Sequence, residues 1–156
     1  MKKVLIALDY DPSAKTIAEK GYALAKTMGA EIILLHVIAE ANYYSSLEYS
    51  PIVGFTGFAD IVPVEVGIDK ELNRAADSYL ESLKQLLEDK SIQTLVREGD
   101  FAESILEAAK DMHADIIVMG SHSRKWLENI IMGSVTEKVL KHTTVPLFII
   151  PTKRPK

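Results

Sequence analysis

Four stretches of this chain are short, nearly unbroken apolar runs rich in branched side chains: Val4–Leu8, Ile32–Ile38, Ile116–Met119 and Val145–Ile150. A strand with water on one face alternates apolar and polar residues. A strand that is apolar at every position must be covered on both faces. The segments between the runs are built to provide that cover. Ala14–Met28 sets Ile17, Ala18, Gly21, Tyr22, Leu24 and Ala25 on one helical stripe, and Gly29 follows as a helix stop. Asp69–Glu88 carries Leu72, Ala75, Ala76, Tyr79, Leu80, Leu83, Leu86 and Leu87 at helical period. Asp100 with Glu103 opens a third helix that runs to about Asp111, and Ser134 with Glu137 opens a fourth that ends near His142. A fifth strand candidate, Ile92–Arg97, alternates more and is expected near a sheet edge.

Strands alternating with helices in this way predict an α/β fold. It is a doubly wound, mainly parallel sheet of five strands with helices on both faces. The 156 residues suffice for one core without staples, and the chain has no cysteine, which excludes a disulfide scaffold, a zinc–cysteine cluster and a thiol nucleophile. A formal charge of −4 argues against nonspecific nucleic-acid binding. No apolar run approaches the roughly 20 residues of a membrane span. The start, Met1-Lys2-Lys3 followed by Val4–Leu8, meets Asp9 too early for a signal segment, so a cytoplasmic protein without membrane association is expected. A single domain is expected over 1–152, with a solvated basic tail at 153–156 after Thr152. Within the domain, 40–68 reads as one long connection holding Tyr43, Tyr44, Tyr49, Phe55, Phe58, Pro51, Pro63, Gly54, Gly57 and Gly67. Such a loop is a lid or partner surface, or else a mobile insertion.

In doubly wound sheets, ligands sit beyond the carboxyl ends of the strands. Two of those ends carry chemistry. The first strand runs out through Ala7-Leu8-Asp9-Tyr10-Asp11. The Ile116 strand runs out through Met119-Gly120-Ser121-His122-Ser123, and after nine more residues Gly133-Ser134 opens a helix. Glycine lets backbone amides approach a ligand, and a helix amino terminus offers unpaired N–H groups and a positive dipole end, which suits phosphate. Hydroxyls of Ser121, Ser123 and Ser134 fit the same reading; His122 offers a donor or a positive charge, and Arg124 and Lys125 read either as neutralising phosphate or as solvated loop charges. The competing reading is structural: Ser134 as a helix N-cap and the glycines as tight turns. Trp126, Leu127, Ile130, Ile131 and Met132, between the two, read as packing residues.

Other chemistries fare worse. Asp9 with Asp11 resembles a magnesium-binding acid pair, but the third strand ends in Glu98-Gly99 and the last in Pro151, without the further carboxylate and lysine of such a site. Asp11 is instead expected to cap the first helix, with Pro12 in its first turn. The histidines His36, His113, His122 and His142 show no paired zinc spacing, and His36 reads as a packed, hydrogen-bonded residue. Neither a G-x-S-x-G elbow nor a Walker loop is present.

The stretch from Val118 to Pro146, with Val4–Asp9 and Leu34-Leu35-His36-Val37, closely resembles the universal stress protein family. The resemblance implies a strand order of 3-2-1-4-5 and a homodimer paired through Val145–Ile150. It also implies ATP binding, because nucleotide-binding members share Gly, two residues, Gly, nine residues, then Gly with Ser or Thr. Gly120, the nine-residue spacing and Gly133-Ser134 match, and Ser123 stands at the second glycine. Carried over by position, Ala7 and Leu8 lead to Asp9 at the ribose or adenine, and Val37 meets adenine through its backbone. Met119 and Gly120 flank the ribose–phosphate turn. His122, Ser123, Gly133, Ser134 and Val135 surround the phosphates of ATP, with or without Mg. A side chain in a left-handed turn costs roughly 1–2 kcal/mol, against ~1.5–3 kcal/mol for one hydrogen bond to a charged group. Ser123 therefore weakens the expected affinity about tenfold without abolishing it. The implied function is a dimeric ATP-binding stress regulator whose occupancy biases its choice of protein partner. The alternatives are a slow ATPase or self-phosphorylating enzyme, and an interaction protein that binds no nucleotide.

Overall fold

The computed structural model describes residues 1–39, 62–121 and 134–152, with side chains at 62–69 excluded. Its elements in chain order are β1 (Lys3–Leu8), α1 (Ala14–Thr27), β2 (Glu31–Ile38), α2 (Val62–Leu86), β3 (Gln93–Glu98), α3 (Phe101–Asp111), β4 (Ile116–Gly120), α4 (Ser134–His142) and β5 (Leu147–Ile150). The five strands form one sheet in the order β3-β2-β1-β4-β5. Every neighbouring pair is parallel. The expected fold and strand order are those observed, and Ile92–Arg97 supplies an edge strand as its alternation suggested.

Alternate residues of each strand enter different layers. Val4, Ile6 and Leu8 of β1 pack with Ile32 and Leu34 of β2 under α1 and α2, where Ile17, Ala18, Leu80 and Leu83 meet them. Leu5 and Ala7 pack with Ile33, Leu35 and Val37 under α3 and α4, against Ala102, Ile105, Ala109 and Val139. Val4, Leu5 and Ile6 are wholly buried. That two-sided burial is why the central strands are apolar at every position, each large side chain contributing about 1.5–3 kcal/mol.

Local chemistry sets the helix ends. Gly29 follows α1 at φ +64°, a left-handed stop that a side chain would strain. Asp100 caps α3 by accepting from the backbone N–H of Glu103 at 2.9 Å. Lys26 and Tyr22 of α1 both reach Asp89, at 2.8 and 3.1 Å, pinning that helix to the turn before β3. The Lys26 bond, then those from Ser91, hold the Asp89 carboxyl far below its ordinary range.

Two boundaries differ from the sequence reading. The connection read as 40–68 is already helical from Val62. Pro63 is the second residue of that helix, where a missing N–H has no intrahelical partner to lose, and Gly67 is carried at about 1 kcal/mol. The rest of the connection, with its five aromatic residues, lies outside the described residues, as does the tail 153–156. Strand β5 begins at Leu147 rather than Val145, because Pro146 has no N–H to donate, although its carbonyl accepts from Ile117 at 3.0 Å. Thr152, the last residue of the expected domain, is tied back: its N–H donates to Ser121 Oγ at 3.0 Å.

Candidate functional site

The register of the sheet locates a crevice. β1 stays paired with β2 as far as Leu8↔His36, and β4 with β5 as far as Gly120↔Ile150. The pairing of β1 with β4 ends earlier, at Ile6↔Val118. The two central strands therefore part at their carboxyl ends, where the order of winding reverses, which is the ligand position of this architecture. Ala7, Leu8 and Asp9 leave on one bank. Met119, Gly120 and Ser121 leave on the other.

On the first bank the chain turns through stacked aspartates. Asp9 Oδ1 accepts from the N–H of Asp11 at 3.0 Å, and Asp11 Oδ1 accepts from the N–H of Ser13 at 2.9 Å. The carbonyl of Asp11 takes the N–H of Ala14 at 2.9 Å. The expectation for Asp11 is corrected here. α1 starts at Ala14 with Ser13 at the cap position, so Asp11 organises the turn ahead of the helix and Pro12 precedes its first turn. α2 contributes Tyr79, whose hydroxyl donates to the carbonyl of Asp9. Three rings pack beside it. Tyr10 lies 4.3 Å from His36 and 4.8 Å from Tyr79, and His36 lies 5.8 Å from Tyr79, centroid to centroid.

His36 is the packed histidine that the sequence suggested. It is 4% exposed, and its Nδ1, as N–H, donates to the Leu8 carbonyl at 2.9 Å. Burial lowers its pKa, opposed by that bond. Burial raises the pKa of Tyr79, helped by the charge of Asp9. The support given to Asp9 by Tyr79, and the packing of Tyr10 on Tyr79 and His36, were missed in the sequence. A signal existed, since a tyrosine in a buried helical stripe needs a partner for its hydroxyl.

The second bank is made of small residues and hydroxyls. A Cβ on Gly120 would lie 2.4 Å from Ile17 Cδ1, so any side chain there would force the tip of Ile17 to move. The Gly120 carbonyl accepts from Thr136 Oγ1 at 2.9 Å. Ser121 donates its N–H to the Ile150 carbonyl at 2.9 Å, and its hydroxyl takes the N–H of Thr152. Met119 and Val37 are buried in the layer under α3 and α4, and Val135 packs against that same layer. Ser134 is exposed and is the first residue of α4. His122, Ser123 and Gly133 lie outside the described residues, as do Arg124, Lys125 and the apolar residues from Trp126 to Met132. The structure thus brings Ala7, Leu8, Asp9, Met119, Gly120, Ser134 and Val135 to the parting strands and helix α4. Val37 sits one strand further out, on β2.

Among the described residues no three acidic or histidine side chains gather to hold a metal ion. No described helix is long and apolar enough to cross a membrane. A cavity of about 240 Å³ lined by Leu106, Ala109, Ile117, His142 and Val145 lies at the amino ends of β4 and β5, away from the crevice.

A model of the universal stress protein family matches residues 1–151. The chain is 34% identical over 156 residues to universal stress protein MJ0577 of Methanocaldococcus jannaschii, covering 97% of this chain and 96% of that one. It is 33% identical over 152 residues to universal stress protein YxiE of Bacillus subtilis, covering 95% and 97%. The solved structure of MJ0577 matches with a TM-score of 0.76 at 30% identity, covering 99% of this chain and 98% of that one. A universal stress protein solved in complex with cAMP has the same fold, with a TM-score of 0.59 at 15% identity, covering 96% and 95%.

Proposed function

The chain belongs to the universal stress protein family, and from that premise we propose that it is a cytoplasmic, homodimeric ATP-binding module that regulates by occupancy. The observation that carries the reading is the early end of the β1–β4 ladder, with Asp9 on one bank and Gly120 and the amino end of α4 on the other. The donor set suits an adenylate. A carboxylate held in a turn accepts from ribose hydroxyls. The Val37 backbone meets the base. The amides opening α4 at Ser134 and Val135 face the phosphates with the positive end of the helix dipole. Gly133, His122 and Ser123 complete this set by motif position. Mg2+ would arrive on the triphosphate. Bound nucleotide acts on a partner only through different affinities for two states of the chain.

Thermal unfolding with and without MgATP tests the reading. Ligand at 100 times its Kd adds ~2.7 kcal/mol, roughly 5–10 °C for a domain of this size. AMP and cAMP alongside ATP define the adenylate preferred. No shift with any of the three at millimolar concentration overturns the proposal.

The dimer is proposed at β5, an edge of the sheet whose Phe148 is 43% exposed. An open edge with an apolar side chain invites pairing with a second copy. Phe148→Asp is expected to elute as a monomer on a sizing column, and an unchanged elution volume removes this interface.

A further inference from the structure

Gly120 stands beyond Val118, the last β4 residue paired with β1, so its carbonyl has left that ladder. A buried carbonyl needs a partner. The partner comes from a helix 16 residues further on: Thr136 Oγ1 donates to it at 2.9 Å, and Thr136 is 0% exposed. A threonine hydroxyl inside a helix usually bonds to a carbonyl of its own preceding turn. This one leaves its helix. It closes on a residue already hemmed by Ile17 and followed by Ser121, whose N–H is held by Ile150. Gly120 is thereby fixed from α1, from β5 and from α4.

We propose that Thr136 is a positioning residue for the nucleotide site, its hydroxyl setting the end of β4 against the first turn of α4 before ligand arrives. The inference rests on the nucleotide reading and deepens it. Gly120 is assigned to the ribose–phosphate turn, and Ser134 and Val135, just ahead of Thr136, to the phosphates. A single hydrogen bond therefore sets the distance between the two groups that must grip one ligand. Without it, only a fraction of molecules holds that distance, and the apparent Kd rises as the inverse of the fraction.

Thr136→Val keeps the shape and removes the donor. Thr136→Ser keeps the donor and removes a methyl. Affinity for MgATP is measured by calorimetry well below the unfolding midpoint of each variant, with the ligand-free midpoint recorded separately. The expected result is about a tenfold rise in Kd for Thr136→Val and less than a twofold change for Thr136→Ser. A purely structural role would lower the midpoint and leave the Kd of the folded protein unchanged. Thr136→Ala takes the place of the valine variant if that chain does not fold. Wild-type affinity in the variant lacking the donor, or equal losses in the serine and valine variants, overturns the inference while the nucleotide reading stands. A wild-type chain that binds no adenylate overturns both.

Discussion

The two banks of the crevice are held by opposite means. The first, at the ends of β1 and β2, is held by bulk: Tyr10, His36 and Tyr79 pack as three rings, and two of them hydrogen-bond to the backbone of Leu8 and Asp9. The second, at the ends of β4 and β5, is held by smallness: Gly120 admits α1, and the hydroxyls of Ser121 and Thr136 bond to the backbone around it. The first bank contains groups that titrate, and among the described residues the second is held by groups that do not change charge. One bank should therefore fail by loss of a ring contact or by acid, and the other by crowding.

Crowding gives the largest expected effect. Gly120→Ala places a methyl 2.4 Å from Ile17 Cδ1, 3.1 Å from Thr152 Cγ2 and 3.2 Å from Ile17 Cγ1. Overpacking of this kind costs about 1–3 kcal/mol. Ile17→Val removes the nearest of these atoms and alone costs about 0.5–1.5 kcal/mol. The pair should then cost less than the sum of the two, a favourable coupling readable in a double-mutant cycle by denaturant unfolding. Simple additivity would show that the second bank is not set by the approach of α1.

How much of this was legible in the sequence divides along the same line. The sheet was legible because burial on both faces leaves apolar runs that nothing else explains, as Val4–Leu8 shows, whereas its strand order followed only from the resemblance to the universal stress protein family. Asp100 was legible as a cap because its partner is three residues away. The start of α2 at Val62 was hidden because Pro63 and Gly67 read as loop residues, although a proline near a helix start disturbs nothing. The supports of the site were hidden for a different reason. Tyr79 is 70 residues from Asp9, and Thr136 is 16 from Gly120. Such pairings are made by the packing of helices on the sheet, and no local spacing encodes them. Gly120 itself was legible as special, but its reason was not, because Ile17 approaches it from α1.

A smaller effect is expected on the first bank. Tyr79→Phe keeps the ring between Tyr10 and His36 and removes the hydroxyl that donates to Asp9. Losing one such bond costs about 0.5–1.5 kcal/mol. Denaturant midpoints give the stability loss, and near-ultraviolet circular dichroism should show the ring cluster intact. If the variant were as stable as wild type, the hydroxyl would not be what fixes the turn at Asp9.

The smallest effect distinguishes the banks by pH. His36 is the buried titratable group of the first bank, facing Tyr10, Tyr79 and the Leu8 carbonyl, and burial lowers its pKa from the ordinary 6.5. A lowered folded-state value means that the unfolded chain binds more protons as pH falls through about 6.5, so stability falls with it. The contribution is present above that pH and is lost below it, at most about 1.4 kcal/mol per pH unit. His36→Phe keeps a ring in the cluster and removes the titration, and His113, His122 and His142 remain in both proteins. Denaturant unfolding from pH 7.5 to 5.5 should therefore show a shallower loss of stability in the variant, whatever constant offset follows from losing the bond to Leu8. Equal slopes in the two proteins would mean that the unfolded chain takes up no extra proton at His36, and the contrast between a titrating bank and a silent one would fall.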